Sequence, residues 1–129
     1  GYEILAIANK PLATLNSQTI PDTNCNSSCS ISNSGVWTSN SRYGFGFNAI
    51  GINSSGVATN IGTSAYFPDS TYYRPFAANS RNENPQTIMS ENSPVKNRSA
   101  RITYKINISN YQPAGDYENL INLIAIPKY

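Results

Sequence analysis

The chain is predicted to be all-β: an antiparallel β-sandwich of about seven to nine short strands, with long loops and almost no helix. Three observations point there. No stretch longer than ten residues puts apolar positions at i, i+3, i+4 and i+7 behind a plausible cap, so helical periodicity is missing. Runs of alternating apolar and polar residues recur instead, separated by clusters of Gly, Pro, Asn, Ser and Asp. Polarity comes from 18 Asn and 17 Ser, with only 12% charged residues. Those short side chains compete with a helical backbone for hydrogen bonds and favour turns and strand ends.

Taken in order, strands are predicted over residues 2–9 (YEILAIAN), 13–20, 36–39, 42–50, 56–61, 71–77, 86–90, 100–109 and 115–126. In RYGFGFNAI, period two sets Tyr43, Phe45 and Phe47 on one face and Gly44 and Gly46 on the other. The plainer reading is a core aromatic row, with glycines where another backbone passes close; the alternative is a binding shelf. Long loops are expected at residues 21–35, 68–70, 79–84 and 91–99. Neither a repeat nor a linker divides the chain, so residues 1–129 form one domain, Ig-like or fimbrial-like in arrangement.

Composition excludes several functions. The net charge is +2, with no basic run beyond Lys96-Asn97-Arg98 and Arg101, so a nucleic-acid or anionic-membrane partner is not expected. No segment approaches the ~18 apolar residues of a membrane span. Histidine is absent, which removes the usual triads and the commonest general base. Seven carboxylates, Glu3, Asp22, Asp69, Glu83, Glu91, Asp116 and Glu118, include no evident glycosidase pair. The acidic turns at 21–24, 68–70 and 79–84 lack the spacing of a calcium loop, so no metal and no cofactor is expected.

Cys25 and Cys29, in NCNSSCS, are too few for a metal site and too far apart for a CxxC redox motif. A local disulfide is the expected state, and with it an oxidising, extracellular location. The abrupt GYEILAIA opening reads as a mature or excised domain whose export signal lies upstream.

Two candidate functional features remain. Tyr66, Phe67, Tyr72 and Tyr73, with Asp69 and Arg74 between them, combine stacking surfaces with polar edges as carbohydrate recognition requires, and Trp37 is a further stacking candidate. The plainer reading makes them strand and core residues, Trp37 above all. The second feature is the apolar character of both faces of the first and last strands. Leu5 and Ile7 lie opposite the face of Tyr2, Ile4, Ala6 and Ala8; Leu120, Ile124 and Ile126 lie opposite Ile121, Leu123 and Ala125. A strand apolar on both faces is normally buried on both, so the outer sides of these strands are expected under the long loops or another chain.

The closing segment also carries a resemblance. Ile102, Tyr104, Lys105, Ile108 and Ser109, then Gln112-Pro113-Ala114-Gly115, Tyr117, Asn119 and Ile121, then Ala125 and Pro127, resemble the closing hairpin of secreted β-sandwich domains in surface proteins of candidate-phyla-radiation bacteria. More distantly they look like WxL-type, spore-coat-U or fimbrial domains. The likeness covers about a quarter of the chain, and tryptophan-x-leucine motifs are absent. It implies an extracellular or cell-surface module and transfers no active site. The expected function is therefore non-enzymatic, adhesive or structural, with a protein or glycan at a cell surface as partner. The alternatives are a pilus or filament subunit joined to its own kind by strand exchange, and a carbohydrate-binding module.

Overall fold

A computed structural model describes all residues, 1–129. It is all-β, with seven strands: β1 (Tyr2–Ala8), β2 (Gly35–Val36), β3 (Gly44–Ile52), β4 (Tyr72–Tyr73), β5 (Gln86–Glu91), β6 (Ser99–Asn107) and β7 (Ile121–Pro127). The only helical element is one 3₁₀ turn, Asn79–Arg81, and no helix is long and apolar enough to cross a membrane. The strands make three small antiparallel sheets: β5–β1–β7, β2–β4 and β3–β6. A register shift between Ile4 and Leu5 kinks the β1–β5 ladder.

Hydrogen bonds beyond the ladders tie these pieces together. Phe47 and Arg74 exchange backbone N–H···O bonds of 2.9 and 3.0 Å, which sets the chain after β4 beside the free side of β3. Further along the same side, the Phe45 N–H donates to the Pro21 carbonyl, and the Thr23 N–H donates to the Phe45 carbonyl. Here two of the three glycines of β3, Gly44 and Gly46, are needed. A Cβ on Gly46 would lie 2.5 Å from the Thr23 methyl, and Gly44 adopts φ +145° with the Thr23 backbone against it. The aromatic row with glycines behind it is thus a core row crossed by another chain segment.

The core draws on both larger sheets. Ala6 and Ala8 of β1 and Ile88 and Met89 of β5 join Phe45, Phe47 and Ala49 of β3, with Phe67 and Phe76 added from the connections. Phe47 stacks on Phe76 at 3.9 Å between centroids and meets Phe67 edge-on at 5.3 Å. Tyr43, by contrast, is largely exposed.

Three expectations need correction. Residues 13–20 do not form a strand. They fold back on themselves through Thr14–Gln18 and Ser17–Thr14 hydrogen bonds, and Ser17 takes φ +64°. Residues 56–61 give a single bridge between Ile52 and Ala58, because Gly56 and Asn60 adopt left-handed conformations that break the strand. The segment around Pro113-Ala114-Gly115 is not a hairpin turn either. β6 pairs with β3 and β7 with β1, so residues 108–120 cross from one sheet to another. Gln112 and Tyr117 hold that crossover: the Gln112 Nε2 donates to the Tyr117 hydroxyl and the Thr19 carbonyl, and the Tyr117 hydroxyl donates to the Pro113 carbonyl.

Cys25 and Cys29 are joined in a disulfide, with Cys25 fully buried. The loop is further held by the Cys25 N–H donating to the Thr23 hydroxyl and by the Asn26 side-chain oxygen accepting from Thr38 and Ser39. Two outcomes follow for urea unfolding. Replacing both cysteines by serine lowers stability by about 2 kcal/mol, the loop-closure value for so small a ring. Phe47→Ala lowers it by about 3–5 kcal/mol, since it removes a ring stacked in the centre of the core.

Candidate functional site

The most distinctive surface lies where β6 and β7 end their sheets. In an antiparallel ladder, successive residues direct their backbone groups to opposite sides. On β3, Phe45 and Phe47 direct theirs to Pro21, Thr23 and Arg74. Gly46, Asn48 and Ile50 therefore face β6, where Lys105, Thr103 and Arg101 lie opposite them. The N–H and C=O groups of Ile102, Tyr104 and Ile106 point the other way, to an edge with no neighbouring strand. On β7 the same argument starts from Lys128, which exchanges backbone hydrogen bonds with Gly1 at 2.9 and 3.0 Å. Even-numbered residues thus face β1, and Ile121, Leu123 and Ala125 face a second open edge.

The side chains of these same residues point inward. Ile102, Tyr104 and Ile106 sit opposite Ala49, Phe47 and Phe45; Ile121, Leu123 and Ala125 sit opposite Ala8, Ala6 and Ile4. Their partners are core residues, yet Tyr104, Ile106 and Leu123 are 54%, 49% and 55% exposed. Between the two edges runs an apolar cleft of about 430 Å³, lined by Tyr104 and Ile106 from β6, Ile121 from β7, Phe45 behind them, and Leu12, Ile20, Tyr117 and Asn119 from the connections. Each half-exposed side chain would gain on the order of 1 kcal/mol on being covered, given about 1.5–3 kcal/mol for full burial.

The outer face of β7 is open as well. Leu120, Ile124 and Ile126 are all exposed, whereas Ile7 of β1 is buried and Leu5 half-buried. Within the single chain, the outer side of β1 is covered at Ile7 and partly at Leu5, whereas no part of this chain covers the outer side of β7, which leaves another chain as its expected cover. β1 is the central strand of its sheet, and β7 stands at the rim.

The aromatic candidates divide between interior and surface. Trp37 is 1% exposed and plugs the core edge, its Nε1 donating to the Arg42 carbonyl and its ring edge-on to Tyr73 at 5.7 Å. It offers no stacking face to a sugar. Lys105 caps this pair, 4.7 Å from the Trp37 ring and 5.2 Å from Tyr73, and donates to the Trp37 carbonyl; burial lowers its pKa. Phe67 and Arg74 are also buried and are not part of any exposed recognition surface. The Arg74 guanidinium lies 4.9 Å over the Phe67 ring and donates to the Ser32 and Thr87 carbonyls, with its Nε unpartnered. Burial pushes it down to about 10, so it stays cationic at neutral pH. Tyr66 is half-buried against Ser90. Asp69 is exposed, and Tyr72 and Tyr73 are half-buried like Tyr66.

Tyr104, Ile106, Tyr117, Leu12 and Ile20 of the cleft are not among the site residues that the sequence predicts. The alternation of Ile102, Tyr104, Ile106 and Ile108 was a visible signal of one apolar face. That the face lies at an unpaired edge depends on the sheet order. No known protein family, curated protein or solved structure matches the chain.

Among the carboxylates, Asp22 and Glu83 pair with Arg81, Glu91 with Arg98 and Glu3 with Lys128. The Arg98 hydrogen bond holds Glu91 below the usual carboxylate range, and the Thr71 hydroxyl and N–H do the same for Asp69. Asp22 is raised, chiefly by burial, against the pull of Arg81. Glu91 and Asp69 thus contribute stability that is present above their unfolded values of about 4 and is lost as pH falls through the lower folded ones. Asp22 acts in the opposite direction. The urea midpoint is accordingly expected to fall between pH ~5 and ~3, and Glu91→Gln to flatten that fall.

Proposed function

We propose that this chain is a non-enzymatic structural module of an extracellular or cell-surface assembly, and that it assembles with further copies of itself by β-strand addition at the β6–β7 cleft. On this reading the fold is an incomplete antiparallel β-sandwich of fimbrial-like type. One layer is β5–β1–β7, and the other is β2, β4, β3 and β6, joined through the Phe47–Arg74 bridge. The open side lies between β6 and β7.

One observation carries the proposal. The residues whose backbone groups lack a partner strand are Ile102, Tyr104, Ile106, Ile121, Leu123 and Ala125; of these Tyr104, Ile106 and Ile121 line the cleft with apolar side chains, and the other three continue the same inward rows. An extended segment with alternating apolar residues would satisfy both at once, which is the chemistry of strand addition. A natural exposed edge is ordinarily blunted by charge, proline or a bulge; here β7 is apolar on both faces and has its only proline at the end, Pro127. A second copy is the favoured partner, because its β7 presents an open edge that is apolar on both faces and can pair with β6 of a neighbour while staying in its own sheet. The Cys25–Cys29 disulfide supports an oxidising location.

Size-exclusion chromatography with light scattering tests this on protein concentrated from about 10 μM to about 1 mM, a range that brackets weak association, with warming below the unfolding transition. Oligomers growing with concentration are expected. Hydrogen exchange should show the amides of Ile102, Tyr104, Ile106, Leu123 and Ala125 unprotected in the monomer and protected in the assembly. Ile106→Lys with Leu123→Lys should leave a folded monomer, at a cost of roughly 1 kcal/mol or less for such exposed positions. A wild-type chain that stays monomeric throughout, or an assembly in which those amides remain unprotected, overturns the proposal.

A further inference from the structure

The face of the β3–β6 pair that turns away from the apolar cleft carries a second depression of quite different chemistry. Its volume is about 420 Å³, within the range of small-molecule sites. Asn48 and Ile50 of β3 and Arg101 and Thr103 of β6 form the base, and residues 58–60 and 69–70 form the walls. We infer that this depression is a binding site for a neutral sugar residue.

The walls are tied down. The Asn48 side-chain amide, itself almost fully buried, donates to the Asp69 carbonyl at 3.0 Å and the Tyr72 carbonyl at 2.8 Å. The Asn60 amide donates to the Pro68 carbonyl at 2.7 Å and so joins one wall to the other. With both amide nitrogens engaged, the two side-chain oxygens are left as acceptors. The Asp69 carboxylate uses one oxygen for the Thr71 hydroxyl and N–H, at 2.6 and 2.8 Å, and has its second oxygen free. The lining also holds the donors of Arg101 and the hydroxyls of Thr103 and Ser70. Thr59 also belongs to the lining, but its hydroxyl is buried away from the open space, so the accessible polar groups are those of Asn48, Asn60, Asp69, Ser70, Arg101 and Thr103.

The ligand class follows from this inventory. Donors and acceptors are mixed, which suits hydroxyl groups that both give and take hydrogen bonds. Ile50 and Ala58 supply a small apolar patch against which the C–H face of a pyranose can rest. One carboxylate and one guanidinium leave the site without net charge: Asp69 repels a phosphate or sulfate, and Arg101 repels a cation. Neither Trp37 nor the buried Phe67 takes part, so this is a polar sugar site without an aromatic platform. It does not depend on strand addition, because it lies on the opposite face of the same strands.

The test is an amide-resolved NMR titration of the intact chain with glucose, galactose, mannose and N-acetylglucosamine, each to about 50 mM, since single-sugar sites bind with Kd near 1 mM or weaker. Glycine serves as a zwitterionic control. At least one sugar is expected to give saturable shifts confined to residues 58–60, 69–71 and 101–103, with Ile121 and Leu123 unmoved. Thr103→Val combined with Arg101→Ala should weaken that affinity by about tenfold or more, as loss of two hydrogen bonds implies. Both positions are exposed, so the unperturbed remainder of the spectrum verifies that the variant is folded. Absence of saturable shifts with all four sugars, shifts produced by glycine alone, or equal affinity in the folded variant overturns the inference.

Discussion

The architecture depends on β3 being occupied on every side. Its backbone bonds β6 along one edge and Pro21, Thr23 and Arg74 along the other. Its inward side chains, Phe45 and Phe47, form the middle of the core. Of its outward glycines, Gly44 admits the Thr23 backbone and Gly46 the Thr23 methyl and the Arg74 carbonyl. Two-stranded units are marginal alone; the Phe47–Arg74 bridge ties the chain after β4 to the β3–β6 pair, and the shared core packs β3 against β5–β1–β7. The same bridge commits a guanidinium to the interior. Arg74 enters without a carboxylate, and it is tolerated there because two backbone carbonyls and the face of Phe67 surround it.

With β3 saturated, the unsatisfied parts of the molecule move outward to β6 and β7. Each contributes a full inward row of apolar residues and a full row of backbone groups with no strand beside it. Such a pairing of exposed apolar surface and free backbone at one location differs from the scattered apolar residues that any soluble surface shows. Strand addition explains both rows with one event.

Asparagine does the work elsewhere given to charged residues. Asn26, Asn48, Asn53, Asn60 and Asn107 each hydrogen-bond backbone or loop atoms. A short amide mimics a peptide group and tolerates left-handed conformations, as Asn60, Asn82 and Asn97 show. Outside the ladders, 31 of the 55 backbone–backbone hydrogen bonds lie in turns and connections, so the loops are built parts of the structure. That is how two loops come to stand as fixed walls around the polar depression on the outer face.

Much of the secondary structure was legible from residue order alone. The alternation in 2–9, 42–50, 86–90 and 100–109 marks strands, which form at 2–8, 44–52, 86–91 and 99–107, because the period of two is a local property of the backbone. The Cys25–Cys29 pair was legible for a similar reason, being four residues apart in a loop. The failures were at 13–20 and 56–61, where apolar residues alternate but left-handed Ser17, Gly56 and Asn60 turn the chain, and at Pro113–Gly115, where a good turn sequence serves a crossover. Nor does residue order separate Trp37, Phe67 and Arg74, which are buried, from Asp69, which is not. The sequence by itself determined which residues alternate, and hence that the protein is all-β with β7 apolar on both faces. Only the tertiary structure decided that β6 and β7 end different sheets on the same open side, because strand order is set by pairing between residues distant along the chain, and no local pattern records it.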